Sequence, residues 1–146
     1  MRDTYEQLRL ANQLCFPLYA CSKEVIRLYK PFLDPLGLTY TQYIALLVLW
    51  ERGEVSVKAL GEALWLDSGT LTPVLKALEA KGLVARRRSE ADERVVLVSP
   101  TREGLALREQ AAEVPFRVGR CVNLTPEEAV TLHTLLYKTL NGMKER

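Results

Sequence analysis

Between residues 39 and 99 the spacing of apolar residues changes once, and that change constrains the fold more than any other feature of the chain. Up to Lys81 the period is helical. A capping box, Thr39-x-x-Gln42, opens a helix that runs through Tyr43–Trp50 to about Arg52 and stops at Gly53. Ser56 caps a short helix through Leu64. Asp67 or Ser68 caps another, which Gly82 ends with Lys81 in its last turn. From Leu83 the period becomes that of strands. Leu83–Arg88 and Val95–Ser99, joined by the polar turn Ser89–Glu93, read as a hairpin, with Val95, Val96 and Val98 supplying β-branched character.

Helices flank this centre. Residues from about 13 to 32 are helical in pattern, interrupted early by Pro17 and closed by Pro31 and Pro35. Pro100-Thr101 starts a helix to about Gly119, and Thr125-Pro126-x-Glu128 starts a last one. In it Leu132, Leu135, Leu136, Leu140 and Met143 recur at helical spacing. The order predicts a mainly α fold with a small β-hairpin wing, in one domain spanning 1–146. Residues 39–100 make a winged helix-turn-helix, and 1–38 and 101–146 make dimerisation helices around a two-fold axis. The competing architecture is a monomeric helical bundle with the hairpin as decoration.

The chain has 146 residues, enough for one domain with a core that needs no disulfide or metal. Its 48% hydrophobic and 26% charged residues exclude a disordered chain. The longest apolar run, Tyr43–Trp50, is too short to span a membrane, and no signal peptide opens the chain, so a cytoplasmic protein is expected. Cys15, Cys21 and Cys121 are odd in number and form no CxxC pair. His133 is the one histidine, and no nucleophile elbow, phosphate loop or HExxH motif accompanies it. Neither an enzyme nor a metal or cofactor is expected. The net charge of +2 decides nothing about nucleic acid, because distribution matters more than total.

That distribution is informative around residues 67–94. The helix from Asp67 exposes Ser68, Thr70, Thr72 and Lys76 and buries Leu71, Val74, Leu75 and Leu78. Small hydroxyls at a helix N-terminus suit the major groove, though they also serve simply as caps. Lys81, Arg86, Arg87 and Arg88 follow with no acid between Lys81 and Arg88; Arg94 lies beyond the turn. Alternation sends Arg86 and Arg88 to one face and Arg87 to the other. Such a hairpin fits phosphate contact and minor-groove insertion. Glu90, Asp92 and Glu93 oppose this unless turned to an arginine, and an Asp92–Arg94 contact would hold Arg94 in a reaching geometry. A solvated, salt-bridged turn is the competing reading.

Cys15 lies among Leu14, Phe16 and Leu18, where a free cysteine is ordinarily a small buried hydrophobe. Pro17 is comfortable only in a first helical turn, which starts the helix near Leu14 and places Cys15 at its positive end, an environment that favours thiolate. Tyr19 lies four residues on, over the same face. Tyr29 is fourteen residues on, roughly 21 Å along one helix, and reaches a Cys15 only across an antiparallel two-fold crossing. Cys21 faces away from Cys15 and is expected to be buried and inert.

The stretch LDSGTLTPVLKALEAKGLVARRRSEADERVVLVSPTREG resembles the reading helix and wing of MarR-family regulators. NQLCFPLYA together with YKPFLDPLGLTYTQYIALLVLWE resembles the OhrR branch, which senses organic hydroperoxides. The resemblance covers nearly the whole chain. It implies a homodimeric repressor on near-palindromic double-stranded operator DNA, with no cofactor and no membrane. Asp67, Ser68, Thr70 and Thr72 would meet the major groove and Arg94 the minor groove. Residues matching Tyr29 and Tyr40 would hydrogen-bond the reactive thiol of the other chain, an organic hydroperoxide being the inducer. Cys121 stands where two-cysteine members carry a resolving cysteine; a loop between the terminal helices would let it reach Cys15 of the other chain. Cys21 and Pro17 depart from the pattern. Two rivals remain open: a regulator answering a phenolic or drug-like ligand, with Cys15 structural, and a thiol peroxidase, which has no need of a basic wing.

Overall fold

The computed structural model describes residues 4–144. Its helices are α1 (Cys15–Leu33), α2 (Tyr40–Arg52), α3 (Val57–Leu64), α4 (Ser68–Ala80), α5 (Arg102–Ala111), α6 (Val114–Cys121) and α7 (Pro126–Lys144). Its strands are β1 (Val55–Ser56), β2 (Val84–Arg88) and β3 (Val96–Pro100). The architecture is a winged helix: α2, α3 and α4 stand beside an antiparallel sheet in the order β1-β3-β2, with Arg86 opposite Val98 and Val55 opposite Val98 on the other side.

Short-range chemistry sets the helix starts. Thr39 and Gln42 form the reciprocal capping box of α2. Ser56 Oγ accepts from Ala59 N at 3.0 Å, and Asp67 Oδ1 accepts from Thr70 N at 2.7 Å. Asp67 rather than Ser68 is therefore the cap of α4. Thr125 and Glu128 cap α7 in the same reciprocal way.

Three expectations change. Pro31 does not close α1, which runs two residues further into a 3-10 turn at Asp34–Leu36 that carries Pro35 in its first turn. The single helix expected over 101–119 is two, because Pro115 has no N–H to offer the carbonyl four residues back, and the Ala112 N–H turns to Glu109 O instead. β1, only two residues long, has no pattern to reveal it and exists by pairing with β3.

The core runs through Tyr43, Leu46 and Leu49 of α2, Leu60 of α3, Leu71, Leu75 and Leu78 of α4, Val84 and Val98 of the sheet. It continues into Leu33, Leu38, Ala111, Val114 and Val118, where α6 packs on α1. Two glycines permit close approaches. A Cβ on Gly104 would lie 2.1 Å from Leu83 O, and one on Gly61 would lie 2.8 Å from Leu66 O, so α5 and the α3–α4 turn pack directly on backbone. By contrast α7 buries no residue, and Leu132, Leu135, Leu136 and Met143 are exposed. Among the described residues no single helix is long and apolar enough to cross a membrane.

Candidate nucleic-acid interface and thiol site

The first turns of α4 present Ser68, Thr70 and Lys76 to solvent, as their spacing requires once Leu71, Val74, Leu75 and Leu78 turn inward. Thr72 is half-buried and donates its hydroxyl hydrogen to Ser68 O at 2.7 Å, which leaves its methyl and oxygen lone pairs for an outside partner. The Thr70 amide holds the exposed Asp67 carboxyl below the usual carboxylate range. It stays ionised at neutral pH, a negative charge at the tip of the helix.

The basic run is less free than its sequence suggests. Arg86 makes a two-point ion pair with Glu79 of α4, at 3.0 and 3.3 Å, which ties the wing to the helix beside it. Arg87, on the other face as alternation requires, pairs with Glu54 just before β1 at 3.1 and 2.8 Å. Arg88 donates to Glu93 O across the hairpin at 2.8 Å. Lys81 reaches back to Gly37 O and to the buried Gln42 Oε1. The anions missing from residues 81–88 arrive from elsewhere in the chain. Asp92 accepts from the Arg94 backbone N–H at 3.0 Å and from its guanidinium at 3.1 and 3.2 Å. The Arg94 side chain nevertheless remains 90% exposed at the wing tip, the reaching geometry expected of that pair.

The thiols lie elsewhere. Cys15 is the first residue of α1, where Pro17 placed it, and is exposed, with Leu14 88% exposed beside it. Tyr19 carries Lys23 Nζ 5.3 Å over its ring and makes no hydrogen bond to Cys15. Cys21 is exposed on this chain, which corrects the expectation that it is buried: the outer side of α1 has no covering element. Cys121 is not in a loop. It is the last residue of α6, exposed, with its thiol 3.4 Å from Arg117 O.

At the far end of α1, Tyr29 meets Tyr40, the first residue of α2, with ring centroids 5.0 Å apart and planes at 58°. Tyr43, one turn along α2, lies against both rings at 5.6 and 6.4 Å. Burial raises the Tyr29 and Tyr40 phenols above their ordinary value; burial and these two neighbours push Tyr43 up to about 12. All three stay protonated donors across the physiological range. Among the described residues no group of three or more His, Cys, Asp or Glu side chains is placed to hold a metal ion.

Residues 27–110 match the sequence model of the SarA/Rot transcriptional regulators. Over 146 residues the chain is 46% identical to the organic hydroperoxide resistance transcriptional regulator of Bacillus subtilis (strain 168), covering 100% of this chain and 99% of that one. The chain belongs to the MarR/SarA family of winged-helix transcriptional regulators. Solved structures agree with this MarR/SarA membership. Reduced AbfR bound to DNA, from Staphylococcus epidermidis, has a TM-score of 0.82 at 35% identity, covering 96% of each chain. The disulfide-formed AbfR gives 0.67 at 36% identity over 94% of each chain. Reduced MarR from E. coli gives 0.70 at 31% identity, over 88% of this chain and 96% of that one.

Within this MarR/SarA regulator, α4 and the hairpin bring Asp67, Ser68, Thr70, Thr72, Lys76, Arg86, Arg88 and Arg94 to neighbouring elements. Tyr29 and Tyr40 meet, while Cys15 and Tyr19 stand apart from them at the other end of α1, and Cys121 sits at the end of α6. Sequence reasoning missed Tyr43, although its spacing of three from Tyr40 placed both on one side of α2. It also missed Glu54 and Glu79, whose pairing with arginines 33 and 7 residues away no local pattern announces.

Proposed function

We propose that this regulator is a homodimeric repressor that binds near-palindromic operator DNA in the cytoplasm and releases it when an organic hydroperoxide oxidises Cys15. The observation that carries this reading is the separation along α1. Cys15 opens the helix and the Tyr29–Tyr40 pair sits fourteen residues on, about 21 Å away at 1.5 Å per residue. The resemblance to the OhrR branch implies that one copy's tyrosines serve the other copy's thiol where two α1 helices cross antiparallel, and this separation supports it. The uncovered apolar residues of α1 and α7 supply the surface for that pairing. The higher likeness to DNA-bound AbfR, reduced or overoxidised, than to its disulfide form supports a DNA-competent conformation here. On DNA, Ser68, Thr70, Thr72 and Lys76 face the major groove, Arg88 the backbone and Arg94 the minor groove, while Arg86 acts through its brace on Glu79.

In the sensing step the Cys15 thiolate attacks the terminal oxygen of R–O–O–H. The S–O bond forms as the O–O bond breaks, giving Cys15–S–OH and an alkoxide that takes a proton from water. Sulfur is oxidised by two electrons and the peroxide is reduced to an alcohol. The thiol of Cys121 of the partner subunit then displaces the sulfenic oxygen as water, forming an intersubunit disulfide. The exposed place of Cys121 at the end of α6 supports this role.

The test is a gel shift on operator DNA with and without cumene hydroperoxide, read beside a non-reducing gel. The parent should lose DNA and run at doubled mass, Cys15→Ser should keep DNA under oxidant, and Cys121→Ser should be oxidised without crosslinking. A Cys15→Ser protein that still releases DNA overturns the reading.

One observation favours a second reading. A cavity of about 250 Å³ is lined by Phe32, Pro35, Leu36 and Val114 with Gln110, Glu113 and Arg117 among them. Its apolar wall and mixed polar groups suit a phenolic or drug-like ligand, as a ligand-responsive regulator requires. Release of DNA by such a ligand from the Cys15→Ser protein would favour it.

A further inference from the structure

Tyr43 is the residue of the tyrosine cluster that the proposed sensing chemistry leaves without a task. Its side chain is 2% exposed, yet its hydroxyl makes no hydrogen bond to any described residue. No fully buried side-chain oxygen among the described residues lacks a partner, so this hydroxyl is the part of Tyr43 that reaches the surface. It emerges beside Tyr29 and Tyr40, whose rings lie 5.6 and 6.4 Å from its own. A donor held by a buried ring, unpartnered within its own chain, is preorganised for a partner from outside.

The chemistry names that partner. Tyr29 and Tyr40 are taken up by the thiolate, and attack on R–O–O–H puts negative charge on a second atom, the inner oxygen that leaves as alkoxide. Among the described residues, Cys15 is exposed and no arginine or lysine of its own chain hydrogen-bonds its thiol. We infer that the Tyr43 hydroxyl is a third donor of the sensing site, hydrogen-bonding the inner oxygen of the organic hydroperoxide bound against Cys15 of the partner subunit. As the S–O bond forms and the O–O pair of electrons passes to the inner oxygen, Tyr43 stabilises the developing negative charge and hands its proton to that oxygen, the alcohol leaves, and water returns a proton to the phenolate. Its raised phenol value keeps it a donor at neutral pH. The inference rests on the peroxide-sensing reading and assigns the substrate's second oxygen within it.

Tyr43→Phe keeps the ring and removes the donor, so it tests the hydroxyl alone. The full-length dimer is treated with tert-butyl hydroperoxide, whose alkoxide is a poor leaving group, with perbenzoic acid, whose carboxylate is a good one, and with iodoacetamide, which releases no alkoxide. Tyr43→Phe should slow Cys15 oxidation by tert-butyl hydroperoxide about tenfold, slow the peracid reaction much less, and leave alkylation and reduced operator affinity at the parent's values. Tyr29→Phe and Tyr40→Phe, which act on the thiolate, should slow all three reagents. If Tyr43→Phe is oxidised by tert-butyl hydroperoxide at the parent's rate, or slows all three reagents alike, the assignment is wrong. If Cys15→Ser still releases DNA under oxidant, the sensing reading itself fails instead.

Discussion

Leu75 and Leu135 occupy the same kind of position, an apolar stripe on a long helix, yet Leu75 of α4 is fully buried and Leu135 of α7 is 53% exposed. The first belongs to a region that closes on itself: α2, α3, α4, the sheet and α6 bury one another, and Arg86 and Arg87 find acids within the chain. The second belongs to a region whose pattern is equally apolar and whose partner is absent from its own chain. Identical helical periodicity thus carries two meanings, and only packing separates them.

The sharpest way to break the contrast is to make the same truncation in both places. Leu75→Ala should cost about 2–5 kcal/mol in urea unfolding, because the buried site cannot collapse fully. Leu135→Ala should cause a loss that grows with protein concentration, small where the chain is monomeric and larger where dimerisation covers α7; a loss equal to that of Leu75→Ala at every concentration would mean α7 is covered within its own chain. Next in size, Leu135→Glu should weaken dimerisation roughly tenfold or more by burying an unpaired charge at the interface. Sedimentation showing the parent's association constant would remove α7 from that interface.

On the closed side, the wing arginines divide. Arg94→Ala should lower operator affinity roughly tenfold by removing the minor-groove contact, and Arg88→Ala should reduce the log–log salt slope by about 0.9 by removing a phosphate contact. Arg86→Ala, whose partner is Glu79, should weaken binding less and leave the slope nearly unchanged. A salt titration in which Arg86→Ala loses the larger slope reverses these roles.

A further effect, confined to high pH, is on alkaline stability. Tyr43 holds its proton up to about pH 12 in the folded chain, whereas an unfolded tyrosine releases it near 10. The folded state binds more protons in that window, so the contribution is whole below pH 10 and is lost as pH rises through 12. Tyr43→Phe should flatten the decline of unfolding free energy between pH 10 and 12; an unchanged decline would place the alkaline loss elsewhere.

The fold was legible where a single residue commits the backbone: Thr39, Ser56, Asp67 and Thr125 each start the helix their side chains cap. It was illegible where the decision is made by a distant segment. β1 exists because β3 pairs with it, and the break after α5 follows Pro115, whose effect falls on carbonyls before it. The same division runs through the candidate site. Cys15 at a helix start and Arg94 beside Asp92 are neighbours in sequence, so their geometry could be read. The engagement of Arg86 and Arg87, the exposure of Cys21 and the third tyrosine depend on which faces meet, which one strand of text does not contain.

The tie from Lys81 to Gly37 and Gln42 has a bearing on how such a regulator diversifies. It fastens the last turn of α4 to the start of α2, where Tyr40 sits, while the opening turn of α4, with Ser68 and Thr70, faces solvent. The two ends of one helix therefore answer to different demands. Exchanging the exposed residues of its opening turn leaves the fastened end, and the tyrosines beyond it, untouched. On the proposed reading, a lineage can in this way acquire a new set of target genes while inheriting its chemical trigger intact, and rewriting that single turn would change operator preference alone.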